Sequence, residues 1–227
     1  MAKSSREVEN CLIAGKGRAV VEAVLFDMGG VIVSGPWEGF AAYEQANGLP
    51  EGLIRRINST DPDDNAWAQM ERGEIGLEEF ADAFEAEAAA LGYQVDGMAV
   101  LNGLGGEVLP SMAEAVRRCS ERLKTGLLTN NYAPMEASER SAEIAEVLGW
   151  FDVVIESSVV GVRKPDSAFY AMACEALGVE PSACVFLDDL GVNLKPARAM
   201  GMTTIKVVDP DEALAELEAA VGFPLKG

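Results

Sequence analysis

Short apolar runs that alternate with helical segments constrain the fold of this chain most strongly. Each run is nearly continuous in its apolar character, which is typical of a strand buried on both faces of a parallel sheet. The runs comprise residues 19–26, 125–128, 153–156, 184–187 and 203–208. From about residue 109 to the C-terminus they alternate with helical spacing over 112–123 and 213–221. This alternation predicts an α/β fold with a doubly wound parallel sheet.

Residues 34–106 differ from the rest of the chain. They follow the first run directly, contain few β-branched runs and are rich in Ala, Glu, Leu and Met. One stripe of helical spacing within them consists of Leu77, Phe80, Ala81, Phe84 and Ala88. We predict a small helical domain inserted after the first strand, an α/β core made of residues 19–33 and 107–227, and a flexible tail over residues 1–18.

The charge and composition exclude several classes of function. The 227 residues include 37 acidic and 18 basic side chains, for a net charge of −19, and no histidine. Without histidine there is no Ser-His-Asp or Cys-His mechanism and no zinc site built on imidazole. The negative charge predicts that neither nucleic acid nor an anionic membrane is a partner.

The apolar runs and the cysteines bear on the cellular location. No apolar run approaches the roughly 20 residues of a membrane helix, and the first residues lack the apolar segment of a secretory signal. Cys174 and Cys184 lie among apolar residues and are expected to be buried free thiols. A cytoplasmic protein is predicted.

Polar clusters follow the predicted strands at the points where the strands end. They are Asp27, the triplet Thr129, Asn130 and Asn131, the lysine Lys164, and the pair Asp188 and Asp189. Because ligands bind beyond the carboxyl ends of strands in open parallel sheets, we expect these side chains to meet in one crevice. Taken singly, each cluster is also typical of a turn or a helix cap. Their occurrence together, at successive strand ends, favours a site.

The residue types indicate which chemistry such a crevice supports. Crowded carboxylates need a cation, and Mg²⁺ prefers oxygen ligands. A carboxylate can attack a phosphoryl group and form an aspartyl-phosphate. Thr129, Lys164 and backbone amides near Gly29 and Gly30 are candidate donors to the phosphoryl oxygens.

Four of these segments resemble the motifs of the haloacid dehalogenase superfamily, in which magnesium-dependent phosphatases predominate. The matching segments are residues 26–31 (FDMGGV), 127–130 (LLTN), 164–165 (KP) and 186–189 (FLDD). The helical insertion resembles the small cap domain of that superfamily. Residues 155–158 and 186–198 resemble the N-terminal phosphatase domain of soluble epoxide hydrolases, and residues 27–31 the N-terminal domain of multidomain acyl-CoA dehydrogenases. This branch implies a small phosphorylated substrate, acyl or lipid-like.

The resemblance also implies roles for the matching residues. Asp27 would be the nucleophile and a metal ligand, with the backbone carbonyl of Gly29 and the carboxylate of Asp188 completing the Mg²⁺ site. Lys164 would balance the charge of nucleophile and phosphate. The phosphoryl group would be bound by Thr129, Asn130, Lys164 and Gly30. Asp189 would orient Lys164 or support the metal through water, and Asn193 would help to hold the last loop.

Gly29 departs from the phosphatase pattern. The resembling phosphatases carry a second aspartate at this position, which acts as general acid and base. General acid–base catalysis is typically worth about 10²–10⁴-fold in rate, so turnover on poor leaving groups should be slow unless the cap supplies a carboxylate. Asp64 and Glu71 are candidates for that carboxylate.

Two other functions stay open. One is a catalytically weak member of the superfamily that binds phosphorylated ligands or acts as a scaffold. The other is a metal-free 2-haloacid dehalogenase, since that branch also lacks the second aspartate, although the pair Asp188 and Asp189 favours a metal. Trp37 and Trp67 are candidates for the substrate entrance, with packing inside the cap as the alternative. A homodimer formed through the cap also stays open.

Overall fold

The computed structural model describes residues 20–104, 106–132 and 142–226, so the predicted tail over residues 1–18 lies outside the described residues. The core is a five-stranded sheet in the order β3-β2-β1-β4-β5, and every neighbouring pair of strands is parallel. The strands are β1 Ala23–Phe26, β2 Lys124–Thr129, β3 Val153–Glu156, β4 Cys184–Asp188 and β5 Thr203–Lys206. The predicted parallel α/β fold is confirmed.

Helices cover both faces of the sheet and also form a separate group between β1 and β2. Those of the separate group are α1 Trp37–Ala46, α2 Leu53–Asn58, α3 Ala66–Glu71, α4 Leu77–Ala90 and α5 Gly97–Asn102. Those that accompany the sheet are α6 Pro110–Ser120, α7 Ala142–Leu148, α8 Ser157–Val160, α9 Ser167–Leu177, α10 Gly191–Ala199 and α11 Pro210–Val221.

The strands are apolar on both faces because each face is covered by helices. Val24 and Phe26 of β1 pack in one hydrophobic cluster with residues of α6, α7 and α11. Ala23 and Leu25 of the same strand pack in a second cluster with residues of α9 and α10. Neither face of such a strand contacts solvent, so its side chains are apolar on both faces, which explains the continuous apolar runs of the sequence.

The strand register brings the ends of the central strands to one edge of the sheet. Phe26 of β1 pairs with Leu127 of β2 on one side and with Leu187 of β4 on the other. Asp27 and Asp188 each follow their paired residue directly and therefore emerge at the same level. From β1 the chain continues to β2 and β3 on one side of the sheet, and β4 and β5 lie on the other. This change of direction marks the usual ligand-binding crevice of a doubly wound sheet.

Some predicted boundaries are corrected. The run at residues 19–26 forms a strand only from Ala23, because the ladders to Lys124 and Cys184 begin there. Val20, with no neighbouring strand, is 79% exposed. The run at residues 203–208 forms a strand only as far as Lys206. Leu77, the first residue of the predicted helical stripe, begins α4 and is 39% exposed, whereas the other four residues of that stripe are buried.

Helices α1 to α5 have their own hydrophobic cluster. Its buried members include Phe40, Ile54, Phe80 and Phe84, which come from three different helices of the group. The division of the chain at residues 34 and 106 stays a prediction.

Two further expectations concern the cysteines and the membrane. Cys174 and Cys184 are buried free thiols, as predicted. Across the described ranges, no helix combines the length and the apolar character needed to span a bilayer.

Candidate active site

Lys164 lies at the centre of the site, in the loop between α8 and α9, and is only 1% exposed. Its Nζ is 2.8 Å from Oδ1 of Asp27 and 2.8 Å from Oδ2 of Asp188. Burial acts to lower the pKa of Lys164, but attraction to Asp188 and Asp27 outweighs burial and raises that pKa. The side chain is therefore a buried ammonium that bridges the ends of β1 and β4.

Asp27 follows the last residue of β1. Its Oδ1 accepts a hydrogen bond from the amide of Met28 at 2.7 Å and lies 2.8 Å from Nζ of Lys164. Burial raises the pKa of Asp27 well above its usual range, Lys164 opposes that rise, and Asp188 adds to it. One ammonium is thus not enough to offset the burial of this carboxylate, and a further cation nearby would favour its charged form.

Asp188 is held by a set of donors that approach both carboxylate oxygens. Oδ1 accepts from the amide of Leu190 at 2.8 Å, and Nδ2 of Asn193 lies 3.1 Å from both Oδ1 and Oδ2. The hydroxyl of Tyr170 donates to the carbonyl of Asn193 at 2.6 Å. Asn193 therefore fixes the orientation of Asp188, and Tyr170 in turn holds the main chain of Asn193.

Three carboxylates lie close enough to share one cation. Asp27, Asp188 and Asp189 each offer an oxygen, and these oxygens lie within 4.8 Å of one another. A set of carboxylate oxygens fits Mg²⁺, which prefers hard oxygen ligands. Asp189 thus joins the candidate ligands expected from the sequence. The role of the Gly29 carbonyl stays a prediction.

The role expected for Asp189, to orient Lys164 or to support the metal through water, stays a prediction. In the part of the chain that the structure describes, the ion pairs of Lys164 are with Asp27 and Asp188. Oδ2 of Asp189 instead accepts a hydrogen bond from Nε1 of Trp37 at 3.3 Å. Burial raises the pKa of Asp189, and the neighbouring Asp188 raises it further.

The turn after β1 depends on Gly30. Its φ is +74°, and a Cβ built there would lie 2.6 Å from Cγ and Oδ2 of Asp189. Its amide donates to the carbonyl of Val33 at 2.8 Å. The N–H of Gly30 is thus engaged within the turn, and the expected binding of phosphate by Gly30 stays a prediction. A Cβ at Gly29, in contrast, would meet no atom within 4 Å.

Thr129 and Asn130 end β2 at the same edge. Thr129 is 7% exposed. Oδ1 of Asn130 accepts from the amide of Lys164 at 2.9 Å, and its Nδ2 donates to the carbonyl of Lys164 at 3.1 Å. The Asn130 side chain therefore holds the Lys164 main chain, and binding of the phosphoryl group by Asn130 stays a prediction.

Glu71, the last residue of α3, reaches this network from the inserted helices. Its Oε2 accepts from Nδ2 of Asn130 at 3.1 Å and lies 2.7 Å from Nε of Arg163. Burial raises the pKa of Glu71, and the adjacent guanidinium of Arg163 opposes that rise. Asp64, the other carboxylate expected to reach the site, is 77% exposed and lies 3.6 Å from a guanidinium nitrogen of Arg72. This position on the surface is contrary to the expectation for Asp64.

The two tryptophans lie in different surroundings. Trp37 contacts Asp189 and is half-buried beside the carboxylates. The ring of Trp67 packs against Phe80, with the centroids 4.9 Å apart, and also against Phe84 and Phe40. This placement favours packing over an entrance role for Trp67.

Arg163 and Tyr170 are not among the site residues expected from the sequence. The one sequence signal for Arg163 is its position directly before Lys164. Nothing in the local pattern marks Tyr170, which lies in the apolar helix α9.

A known protein family matches most of this chain. The model of the haloacid dehalogenase-like hydrolase family matches residues 21–201. This chain belongs to that family. The resemblance seen in the four motifs is thereby confirmed.

Among individual proteins, the mouse acyl-CoA dehydrogenase family member 10 is 36% identical over 211 residues, which are 89% of this chain and 19% of that protein. The pig bifunctional epoxide hydrolase 2 is 31% identical over 222 residues, which are 90% of this chain and 40% of that protein. The chain therefore spans only a minor part of both relatives. A phosphatase of Mycobacterium tuberculosis is 34% identical over 191 residues, covering 80% of this chain and 85% of that protein.

Solved structures share the fold. The L-2-haloacid dehalogenase of Xanthobacter autotrophicus with covalently bound chloropropionic acid has a TM-score of 0.59 at 23% identity, covering 88% of this chain and 83% of that one. A haloacid dehalogenase family enzyme of Bacteroides thetaiotaomicron, in complex with magnesium and inorganic phosphate, has a TM-score of 0.55 at 19% identity. The match covers 82% of this chain and 93% of that one. At these identities the likeness establishes the fold alone.

Proposed function

We propose that this hydrolase is a magnesium-dependent phosphatase that acts on a small phosphorylated molecule through Asp27. The observation that carries the proposal is the position of Asp27 at the switch point of the sheet, 2.8 Å from a buried ammonium and within one group of three carboxylates. A buried anion cluster of this kind suits a cation, and a cation next to a carboxylate nucleophile suits an anionic phosphoryl group.

Asp27 performs the first chemical step. One of its carboxylate oxygens attacks phosphorus, the bond from phosphorus to the leaving oxygen breaks, and the leaving group departs with the electron pair. Water then attacks the phosphorus of the aspartyl-phosphate, which releases inorganic phosphate and restores the carboxylate. When bound by Asp27, Asp188 and Asp189, magnesium supplies positive charge against the phosphoryl oxygens.

Lys164 and its supports arrange the nucleophile. The ammonium holds Oδ1 of Asp27 and offsets negative charge as the phosphoryl group arrives. Asn130 holds the Lys164 main chain, and Asn193 holds Asp188. These groups are positioned by strand ends and helix starts, so they need little rearrangement when substrate binds.

Gly29 limits the choice of substrate. With no proton donor at this position, the best leaving groups are those that need little protonation, namely acyl and aryl phosphates. The likeness to a named phosphatase supports the phosphatase activity. The likeness to proteins of acyl-CoA and epoxide metabolism supports an acyl or lipid-like substrate.

Hydrolysis of para-nitrophenyl phosphate with magnesium or with EDTA tests the proposal. We expect turnover that requires magnesium and disappears in Asp27→Asn. Asp82→Asn, an exposed aspartate on α4, is the matched control and should retain the activity.

Two outcomes would favour the other functions. Tight binding of vanadate or phosphate by a wild-type protein that hydrolyses no ester would indicate a binding member of the family. Release of chloride from 2-chloropropionate in the presence of EDTA would indicate a dehalogenase, which Gly29 also allows.

A further inference from the structure

An arginine without a carboxylate partner lies beside the candidate active site. Cζ of Arg55, on α2, is 4.4 Å from the ring centroid of Trp37. The side chain is exposed. Among the residues that the structure describes, no carboxylate forms an ion pair with Arg55, in a chain that carries 37 acidic residues. Its positive charge is therefore available to a ligand.

The helix that carries Arg55 is firmly held. Leu53, Ile54 and Ile57 are buried in the cluster of the inserted helices. The carboxylate of the buried Glu44 accepts hydrogen bonds from the amides of Gly52 at 2.7 Å and Ile54 at 2.8 Å. Both packing and hydrogen bonds thus fix the main chain on the N-terminal side of Arg55. The Arg55 side chain therefore projects from a defined backbone position.

Trp37 connects this guanidinium to the carboxylates. The indole Nε1 donates to Oδ2 of Asp189, while Arg55 lies over the ring of the same indole. One indole ring thus separates the guanidinium from the carboxylates. A guanidinium stacked on an aromatic ring keeps the N–H donors along its edge for a planar anion.

We propose that Arg55 and Trp37 form a subsite for a leaving group that carries a second anionic group, a carboxylate or a phosphate. The proposal rests on the proposed phosphatase function for the position of the scissile phosphate near Asp27. The apolar stem of the leaving group lies along Trp37, and its anionic end meets Arg55. A net charge of −19 would otherwise repel such a substrate, and Arg55 supplies the local attraction.

Three aryl phosphates of similar shape test the subsite. 4-Carboxyphenyl phosphate carries a carboxylate, 1,4-phenylene bisphosphate carries a second phosphate, and 4-carbamoylphenyl phosphate is the neutral reference. We expect kcat/KM of the wild type to favour at least one charged ester over the reference by about 10-fold. The ester that shows the larger ratio identifies the anion that the subsite takes.

Variants assign this preference to Arg55. Arg55→Ala should reduce the ratio to about one, and Arg55→Lys should keep part of it, because it retains the charge but not the planar donors. Arg56→Ala removes the adjacent exposed arginine and should leave the ratio unchanged. A ratio near one for both charged esters in the wild type, or the wild-type ratio in Arg55→Ala, would overturn the inference.

Binding separates this inference from the proposed function. If the wild type hydrolyses none of the esters with magnesium, the phosphatase proposal fails. The dissociation constants of the same esters for Asp27→Asn, measured by calorimetry with and without the Arg55→Ala change, then decide the subsite. Equal affinity for charged and neutral esters in Asp27→Asn, or no binding of any of them, would overturn the subsite.

Discussion

The side chain of Asn130 binds both main-chain polar groups of Lys164, accepting from its amide at 2.9 Å and donating to its carbonyl at 3.1 Å. A side chain at the end of β2 therefore sets the position from which Lys164 reaches Asp27 and Asp188. The same Nδ2 atom of Asn130 also donates to Oε2 of Glu71, on helix α3, at 3.1 Å.

Asn130→Ala should lower both stability and activity. Each lost hydrogen bond to a buried main chain is worth about 1 kcal/mol, so the free energy of unfolding should fall by about 1–3 kcal/mol. Because Lys164 loses its support, kcat should fall more than KM rises. Urea titration and steady-state kinetics measure the two effects, with exposed Asn102→Ala as control. A normal kcat in a destabilised Asn130→Ala would limit this residue to a structural role.

Lys164→Met should make the protein depend on magnesium for its stability. Removing the ammonium leaves Asp27 and Asp188 without their buried cation, and breaking a buried ion pair in this way typically costs about 3–5 kcal/mol. The rise in Tm on adding magnesium should therefore be larger in Lys164→Met than in the wild type. Exposed Lys195→Met is the control and should match the wild type. An identical magnesium shift in all three proteins would contradict a metal site at these carboxylates.

Gly30→Ala should disturb the carboxylate cluster as well as the backbone. Gly30 and Gly48 both have positive φ, +74° and +64°, but a Cβ at Gly48 would meet nothing within 4 Å, whereas one at Gly30 would collide with Asp189. Gly48→Ala should cost about 1–2 kcal/mol of backbone strain. Gly30→Ala should cost more and should also weaken magnesium binding, measured by calorimetry. Equal effects of the two changes would mean that Asp189 moves aside freely.

Gly29→Asp should increase turnover, most of all on esters with poor leaving groups. The position has open space for a side chain and no positive φ, so the change is sterically allowed. A carboxylic acid there could donate a proton to the leaving oxygen, an effect typically worth about 10²–10⁴-fold. The comparison is kcat/KM for an alkyl phosphate against para-nitrophenyl phosphate. Gly29→Asn, of similar size but unable to move a proton, is the control, and an equal gain in both variants would exclude acid–base catalysis as the cause.

Glu87→Gln should stabilise the protein at neutral pH. Oε1 of Glu87 accepts from the amide of Ala66 at 2.7 Å, whereas Oε2 is buried without a partner. Burial raises the pKa of Glu87 from its ordinary 4.5. The folded state therefore holds this proton more tightly than the unfolded state, and stability falls as the pH rises above about 4.5.

The glutamine keeps the acceptor and removes the buried charge, so Tm at pH 7 should rise by about 1–3 °C. The difference from the wild type should shrink towards pH 4. Exposed Glu78→Gln should show no such pH-dependent gain. Scanning calorimetry across this pH range provides the check, and a gain independent of pH would exclude ionisation of Glu87 as the cause.

Much of the fold was predictable because buried parallel strands leave a strong local signal. Val24 and Phe26 face one layer of helices and Leu25 faces the other, so β1 had to be apolar throughout. The true start of β1 at Ala23 was not predictable, because it depends on where Lys124 and Cys184 begin to pair with it.

The sequence by itself determined that Asp27, Thr129 and Asp188 would share one edge, because parallel strands end together and each residue closes or directly follows an apolar run. Only the tertiary structure decided that Asn130 holds Lys164, that Glu71 reaches Asn130, and that the indole N–H of Trp37, unlike that of Trp67, donates to Asp189. The physical reason is the range of the interactions. Strand pattern and strand ends follow from local periodicity, whereas a hydrogen bond between residues 152 positions apart depends on how whole helices pack on the sheet.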